Sequence, residues 1–101
     1  MHSMIRFEPL SGKEAEFRNE ILQVSERSRT ELGCLRLDVF ESLREPLIFA
    51  IHSEWVDEAS FELHGTLPHT VRFLEAAGKL LAHPIQALRL RQIDGAKSVK
   101  M

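Results

Sequence analysis

The spacing of apolar residues divides the chain into seven regular elements, four strands and three helices. Residues 3–8 alternate polar and apolar, with Ile5 and Phe7 on one side, which predicts a half-buried strand. After Pro9 the apolar positions recur every three or four residues, which predicts one amphipathic helix that ends at Gly33. The stripe of this helix consists of Phe17, Ile21, Val24 and Ser28.

The start of this helix is expected at a capping box. Ser11 is followed three residues later by Glu14, and this spacing lets the two side chains bond each other's backbone N–H groups. Beyond the helix, residues 34–41 return to a period of two and predict a second strand. Residues 47–55 are apolar on both faces as far as His52, which predicts a central third strand covered on both sides.

Two helices and a last strand are predicted in the remainder. Asp57 can cap a short helix that breaks at Gly65, and Pro68 then begins another helix. The expected buried side of that helix is Val71, Phe73, Leu74, Ala77, Leu80 and Leu81. Residues 85–93 supply a fourth strand. The βαββαβ order predicts an α+β, ferredoxin-like fold with a four-stranded antiparallel sheet and helices on one face.

An open sheet face on so small a chain predicts a partner. With 101 residues and no internal repeat or linker, residues 1–101 are expected to form a single domain with its core at about residues 3–93. Residues 94–101 form a predicted polar tail, either disordered or reaching a neighbouring chain.

The uncovered face of the sheet predicts a homodimer joined sheet to sheet.

Composition excludes several partner classes. Thirteen basic against fifteen acidic residues give a net charge of -2, and no basic stretch suits nucleic acid. The longest apolar run, residues 47–51, is far shorter than the roughly 20 residues of a membrane helix. The N-terminus lacks the pattern of a signal peptide, and Cys34 is the single cysteine, so a cytoplasmic location is expected.

Four short motifs at this spacing resemble the antibiotic biosynthesis monooxygenase family, in its quinol-monooxygenase-like branch. They are residues 28–35, residues 38–42, residues 54–55, and residues 64–69 with Phe73. The resemblance spans residues 5–93 and implies a dimeric α+β barrel with a pocket between sheet and helices. It also implies oxidation of a quinol-type aromatic by molecular oxygen without flavin, heme or metal, although a similar branch isomerises a small phosphorylated dione.

The chain departs from parts of that family in ways that bear on its substrate. It contains no Tyr, and Phe61 and Ile51 stand where the aromatic-polyketide oxygenases carry a pocket Tyr and an Asn. These replacements disfavour a polyketide substrate. The residues that heme-degrading relatives use as an Asn and a ligating His are also replaced, so no heme is expected. The resemblance therefore predicts no cofactor.

The histidines are the candidate bases, because cofactor-free oxygenation requires deprotonation of the substrate near neutral pH. His64 ends the short helix and His69 begins the next one, so both can face the space between helix and sheet. They are predicted as base and orienting donor. The structural alternative, in which both only bond the broken backbone near Gly65, stays open.

Further site residues are predicted around these histidines. Trp55 is assigned as a hydrogen-bond donor and wall, although a single large residue at the end of a strand is more often simply part of the core. Arg29 is a candidate for holding an anionic ligand, although a cation there also suits the helix dipole. Ile51, Phe61 and Phe73 are predicted as substrate-contacting lining. A metal is not expected, because His64 and His69 are five residues apart rather than the three or four that share a helical face.

Three functions remain open at this point. The first is a cofactor-independent monooxygenase that oxidises a small quinol or phenol with molecular oxygen. The second is an isomerase of a small polar keto compound that would use the same histidines without oxygen, with Arg29 holding the anion. The third is a non-catalytic dimeric domain that binds small molecules. Oxygen consumption distinguishes the first from the other two.

Overall fold

The elements follow the predicted order, including the two helices on either side of the break at Gly65. The structure is a computed structural model and describes residues 1–96; the predicted tail therefore lies partly outside the described residues, at positions 97–101. The elements are β1 (His2–Phe7), α1 (Glu14–Ser28), β2 (Cys34–Glu41), β3 (Phe49–Trp55), α2 (Glu58–His64), α3 (Pro68–Gly78) and β4 (Gln86–Leu90). Within residues 1–96, no helix has the length and apolar character needed to cross a membrane.

The four strands form one antiparallel sheet in the order β2-β3-β1-β4, which confirms the ferredoxin-like α+β fold. Ile5 and Val39 both pair with Ile51, so these three side chains form a row on the same face of the sheet. β3 alternates buried and half-buried residues, and its buried set, Phe49, Ile51, Ser53 and Trp55, faces the helices. The prediction that β3 is covered on both sides is wrong for the single chain.

Aromatic packing joins α1 and α3 to the sheet. The ring of Phe17 on α1 lies 5.3 Å from Phe7 and 5.3 Å from Phe49, centroid to centroid. Phe73 on α3 meets Phe7 edge to face at 5.7 Å. Such tilted pairs add to the burial of the rings themselves. This aromatic cluster fixes the two long helices over one face of the sheet.

The predicted capping box at the start of α1 is wrong. Lys13 is the N-cap residue and makes no side-chain cap bond. The Glu14 carboxylate instead accepts a hydrogen bond from the backbone N–H of Gly12 at 2.8 Å, so it stabilises the preceding turn rather than the helix. The helix also ends earlier than predicted, at Ser28, and the chain reaches Gly33 through successive turns.

The buried side of α3 differs from its prediction in three positions. Val71 and Leu74 are exposed, whereas Thr70 is buried together with Phe73 and Ala77. The buried residues therefore follow a three- and four-residue spacing that begins at a threonine, and the polar character of Thr70 hides it from a hydropathy pattern. β4 is shorter than predicted, and all its residues are exposed in the single chain.

Candidate functional site

The two predicted histidines converge on one carboxylate. His64 is the last residue of α2 and His69 the second residue of α3, with a tight turn between the two helices. His64 Nδ1 lies 2.7 Å from Glu31 Oε2, and His69 Nε2 lies 2.6 Å from the same oxygen. The Glu31 side chain is only 9% exposed, so the interaction is largely shielded from water. The turn between α2 and α3 thus directs both rings toward Glu31, which lies between α1 and β2.

Glu31 is placed by the turn between α1 and β2. Gly33 in that turn has a φ of +96°, a conformation that other residues rarely adopt. A side-chain carbon at Gly33 would lie 2.6 Å from Ser60 Oγ on α2, so the turn packs directly against that helix. The Gly33 carbonyl also accepts the backbone N–H of Val56 at 2.8 Å. These contacts bring Glu31 next to the end of α2.

The contacts with Glu31 determine which nitrogen of each imidazole ring donates a hydrogen bond. An ionised carboxylate only accepts hydrogen bonds, so His64 must donate from Nδ1 and His69 from Nε2. In a neutral His64 ring the other nitrogen, Nε2, then carries a lone pair. Within residues 1–96 that nitrogen has no hydrogen-bond partner. The contact with Glu31 therefore makes Nε2 the proton-accepting atom of a neutral His64 ring.

An apolar cavity of about 170 Å³ lies between the helices and the sheet. Residues from all four strands, the three helices and the position before β4 line it. They are Ile5, Phe7, Val24, Ser25, Ser28, Leu37, Ile51, Ser53, Phe61, His64, Thr70, Phe73, Leu74, Ile85 and Ala87. His64 is the one titratable side chain in this lining. The cavity thus combines a largely apolar lining with one candidate base.

The two histidines border different spaces in the structure. His64 borders the cavity, as do Ile51, Phe61 and Phe73, each at a position predicted to contact substrate. His69 borders a surface groove on the outer side, together with α1 residues. Glu31 lies between the two rings. His64, on the cavity side, and His69, on the groove side, therefore contact the same oxygen of Glu31.

Trp55 and Arg29 lie outside the cavity lining. Trp55 is 1% exposed and donates its indole N–H to Ser53 Oγ at 2.9 Å, so that donor is already used. The Trp55 ring packs against His64 at 4.8 Å, which makes it a wall behind the imidazole. Arg29 is exposed and donates Nε to the Leu37 carbonyl at 3.0 Å. A role for Arg29 in binding an anion stays a prediction.

Several residues at this site are not evident from hydropathy alone. Glu31 is one acidic residue among many, and only its place in a turn before a glycine distinguishes it. Ser25, Ser28 and Thr70 are buried on helix faces that otherwise carry apolar residues. Hydroxyls on an otherwise apolar stripe are a usable signal, because buried polar groups require partners. That signal would have indicated a polar-edged cavity.

Glu31, His64 and His69 also form a group of the type that can hold a metal ion. Their ligand atoms all lie within 4.8 Å of one another, although the two histidines come from different helices. The spacing rule for a single helix therefore does not exclude a site here. However, the separations of 2.6 and 2.7 Å are those of direct hydrogen bonds. Two ligands of one zinc ion would lie about 3.3 Å apart.

Cys34 lies near the same carboxylate but has a different character. Burial raises the pKa of the Cys34 thiol, the negative charge of Glu31 raises it further, and Arg29 opposes this in part. The thiol is therefore protonated at neutral pH and is a poor nucleophile. Cys34 pairs with Trp55 across the sheet, which fits a structural role.

Comparison with known proteins gives a consistent assignment. The sequence model described as "Antibiotic biosynthesis monooxygenase" matches residues 1–76. The chain is 31% identical over 77 residues to the Bacillus subtilis (strain 168) protein named "Putative monooxygenase YcnE", covering 76% of this chain and 81% of that protein.

Solved structures share the fold at lower identity. Rv0793 from Mycobacterium tuberculosis superimposes with a TM-score of 0.88 at 22% identity, covering 95% of this chain and 97% of that one. PA3566 from Pseudomonas aeruginosa gives a TM-score of 0.85 at 22% identity, covering 92% and 93%. Since the sequence model matches most of the chain and the B. subtilis relative exceeds 30% identity, this chain belongs to the antibiotic biosynthesis monooxygenase family.

Proposed function

We propose that this protein is a cofactor-independent monooxygenase that oxidises a small quinol or phenol with molecular oxygen. Family membership and the relative named as a monooxygenase support an oxidoreductase. The observation that carries the proposal is the position of His64, which borders an apolar cavity while its Nδ1 is engaged by Glu31. A base oriented in this way beside an apolar cavity suits deprotonation of a phenolic hydroxyl.

The chemistry needs no electrons from outside the substrate. His64 Nε2 removes a proton from a ring hydroxyl, and the resulting electron-rich anion reduces oxygen. A carbon–oxygen bond then forms on the ring and the oxygen–oxygen bond breaks. For a benzenediol, one oxygen atom enters a hydroxyquinone and the other leaves as water, so the substrate supplies all four electrons. Glu31 stabilises the imidazolium that forms during the proton transfer.

Oxygen consumption with purified variants tests this proposal. His64→Gln is expected to lower kcat/KM by about 10²–10⁴, the usual contribution of a general base, whereas His69→Gln retains most of the activity. Replacement of both histidines by Ala is expected to abolish turnover. Wild-type rates of oxygen uptake in His64→Gln, with a panel of benzene and naphthalene diols, would contradict the assignment of the base.

The isomerase and the non-catalytic alternatives are separated by the same assay. An isomerase of a keto compound would use His64 for proton transfer and would form product under nitrogen. A binding domain would bind ligands but neither consume oxygen nor form an isomer. The exposed position of Arg29, outside the cavity lining, gives an anionic keto substrate no charged partner within the cavity. This favours the phenolic substrate.

We also propose a homodimer through the open sheet face. Phe40, Leu88 and Leu90 are exposed on the side of the sheet away from the helices. His2 and His52 stack on the same side, with ring centroids 5.3 Å apart. Apolar residues at both edges of one sheet face favour burial against a second copy. Light scattering on Phe40→Glu, compared with the wild type, is expected to show a shift from dimer to monomer. A cytoplasmic location stays a prediction.

A further inference from the structure

The hydroxyl of Ser25 is buried without a partner at the edge of the cavity. Ser25 lies on α1 and is 1% exposed, and its Oγ has no hydrogen-bond partner within residues 1–96. The neighbouring hydroxyls differ: Ser28 donates to the Val24 carbonyl at 2.7 Å, and Ser53 accepts the Trp55 indole N–H. A buried hydroxyl without a partner is costly to the fold. Ser25 therefore has unused hydrogen-bonding capacity at a position that lines the cavity.

The size of the cavity limits what can occupy it. Its volume is about 170 Å³. An apolar protein cavity of about 150 Å³ binds benzene, so this cavity matches a single aromatic ring. A second fused ring exceeds this volume, and the packed rings of Phe7, Phe61 and Phe73 restrict how far the lining can widen. The cavity thus favours one-ring ligands over fused-ring ones.

Five polar residues line this cavity: Ser28, Ser53 and Thr70 each have a hydrogen-bond contact within the protein, and the other two have a polar atom without a partner within residues 1–96. One is His64, the candidate base, on α2, and the other is the Ser25 hydroxyl on α1. A ligand with one hydroxyl can satisfy only one of them. A ring that carries two hydroxyls can give a proton to His64 and form a hydrogen bond with Ser25, and the apolar lining then contacts the ring itself.

We propose that Ser25 is a specificity-determining residue that binds the second hydroxyl of a single-ring benzenediol. This inference rests on the proposed function, which assigns the first hydroxyl to His64, and it narrows the substrate class from quinols in general to one-ring diols. The unsatisfied hydroxyl in the free protein is then satisfied by the ligand. Phenol, which lacks the second hydroxyl, leaves Ser25 without a partner.

Calorimetric titration under nitrogen tests this inference without turnover. The ligands are phenol, the three benzenediol isomers and naphthalene-1,4-diol. For the wild type we expect the best-bound benzenediol to bind about three- to ten-fold more tightly than phenol, the usual range for one hydrogen bond. Naphthalene-1,4-diol is expected to bind more weakly than that benzenediol. Ser25→Ala is expected to remove the preference for the diol over phenol.

Ser28→Ala is the matched control, because it deletes a cavity-lining hydroxyl that already has a partner. This variant is expected to keep the preference for the diol. An unchanged diol-to-phenol ratio in Ser25→Ala, an equal loss in Ser28→Ala, or tighter binding of naphthalene-1,4-diol would each overturn the inference. If the melting temperature of Ser25→Ala equals or exceeds that of the wild type, misfolding is excluded as the cause of a lost diol preference.

The two proposals fail in distinguishable ways. A diol preference that depends on Ser25, in a protein that consumes no oxygen, would reject the monooxygenase and leave the binding role of Ser25 intact. Oxygen uptake that depends on His64 but not on Ser25, with no diol preference, would reject the role of Ser25 and leave the monooxygenase intact.

Discussion

Glu31 Oε2 lies 2.7 Å from His64 Nδ1, although 33 residues separate the two along the chain. The carboxylate comes from the turn after α1 and the imidazole from the end of α2. This pair fixes which nitrogen of His64 carries the proton and leaves the other nitrogen free for a ligand. The relationship between these two residues therefore determines whether the cavity contains a usable base.

Glu31→Gln is expected to lower kcat/KM for oxygen consumption, because the amide provides no negative charge to stabilise the His64 imidazolium. The loss should be smaller than that of His64→Gln, about ten- to a hundred-fold, since the base itself remains. Glu31→Asp keeps the charge and should recover part of the activity. Equal rates in wild type and Glu31→Gln would show that the carboxylate has no part in the reaction.

The reactivity of Cys34 reports on the charge of Glu31 without any enzymatic assay. Burial and the Glu31 charge raise the pKa of the Cys34 thiol, so alkylation by iodoacetamide at neutral pH should be slower than for free cysteine. Glu31→Gln removes a charge that raises this pKa and should accelerate alkylation. Arg29→Gln removes a charge that lowers it and should slow the reaction. Changes of the same sign in both variants would contradict this electrostatic account.

Gly33→Ala is expected to destabilise the fold more than Gly12→Ala. Both glycines have positive φ, at +96° and +88°, where an alanine costs about 1–3 kcal/mol. Gly12 faces open space, whereas a side-chain carbon at Gly33 would collide with Ser60 at 2.6 Å. Urea unfolding measures both effects. Gly33→Ala should also reduce activity, since it displaces the turn that carries Glu31; similar stability and activity in the two variants would contradict this.

Asp57 should contribute a pH-dependent part of the stability. Its carboxylate accepts the Ser60 backbone N–H at 2.8 Å and caps α2, and this bond lowers the pKa of Asp57. A lowered folded-state pKa means that the stabilisation is present above the ordinary carboxyl pKa of about 4 and is lost as the pH falls through the folded-state value. Asp57→Asn keeps a capping side chain that does not titrate.

The melting temperatures of wild type and Asp57→Asn, measured from neutral to acidic pH, test this. The advantage of the wild type should be constant at neutral pH and should shrink below about pH 4. A difference between the two proteins that stays constant across the whole range would contradict a role for the charged cap.

Metal chelation is expected to leave activity unchanged. Glu31 Oε2 is within direct hydrogen-bond distance of both His64 and His69, and these separations are shorter than the roughly 3.3 Å between two ligands of a zinc ion. Oxygen consumption before and after treatment with EDTA, followed by addition of Zn²⁺, Mn²⁺ or Fe²⁺, is the measurement. Loss on chelation and recovery with one ion would assign this group as a metal site.

Most of the helices and strands were predictable because hydrophobic periodicity and helix-start residues specify them locally. The period of two in residues 34–41 matches β2 without error, and Asp57 and Pro68 mark the starts of α2 and α3 through capping chemistry that depends only on neighbouring residues. Two of the errors concern polar side chains whose placement depends on contacts that a local pattern does not show. Glu14 bonds the turn at Gly12 rather than the helix, and Thr70 is buried although a hydropathy pattern places it outside.

The sequence by itself determined the order of the elements, the family motifs and the two histidines beside a broken helix, because periodicity and turn chemistry act over a few residues. Only the tertiary structure decided that His64 borders the cavity while His69 borders the outer groove, that Glu31 joins them, and that Ser25 is left without a partner. These relationships depend on the packing of elements distant in the chain, and no local pattern encodes the direction in which a packed side chain points.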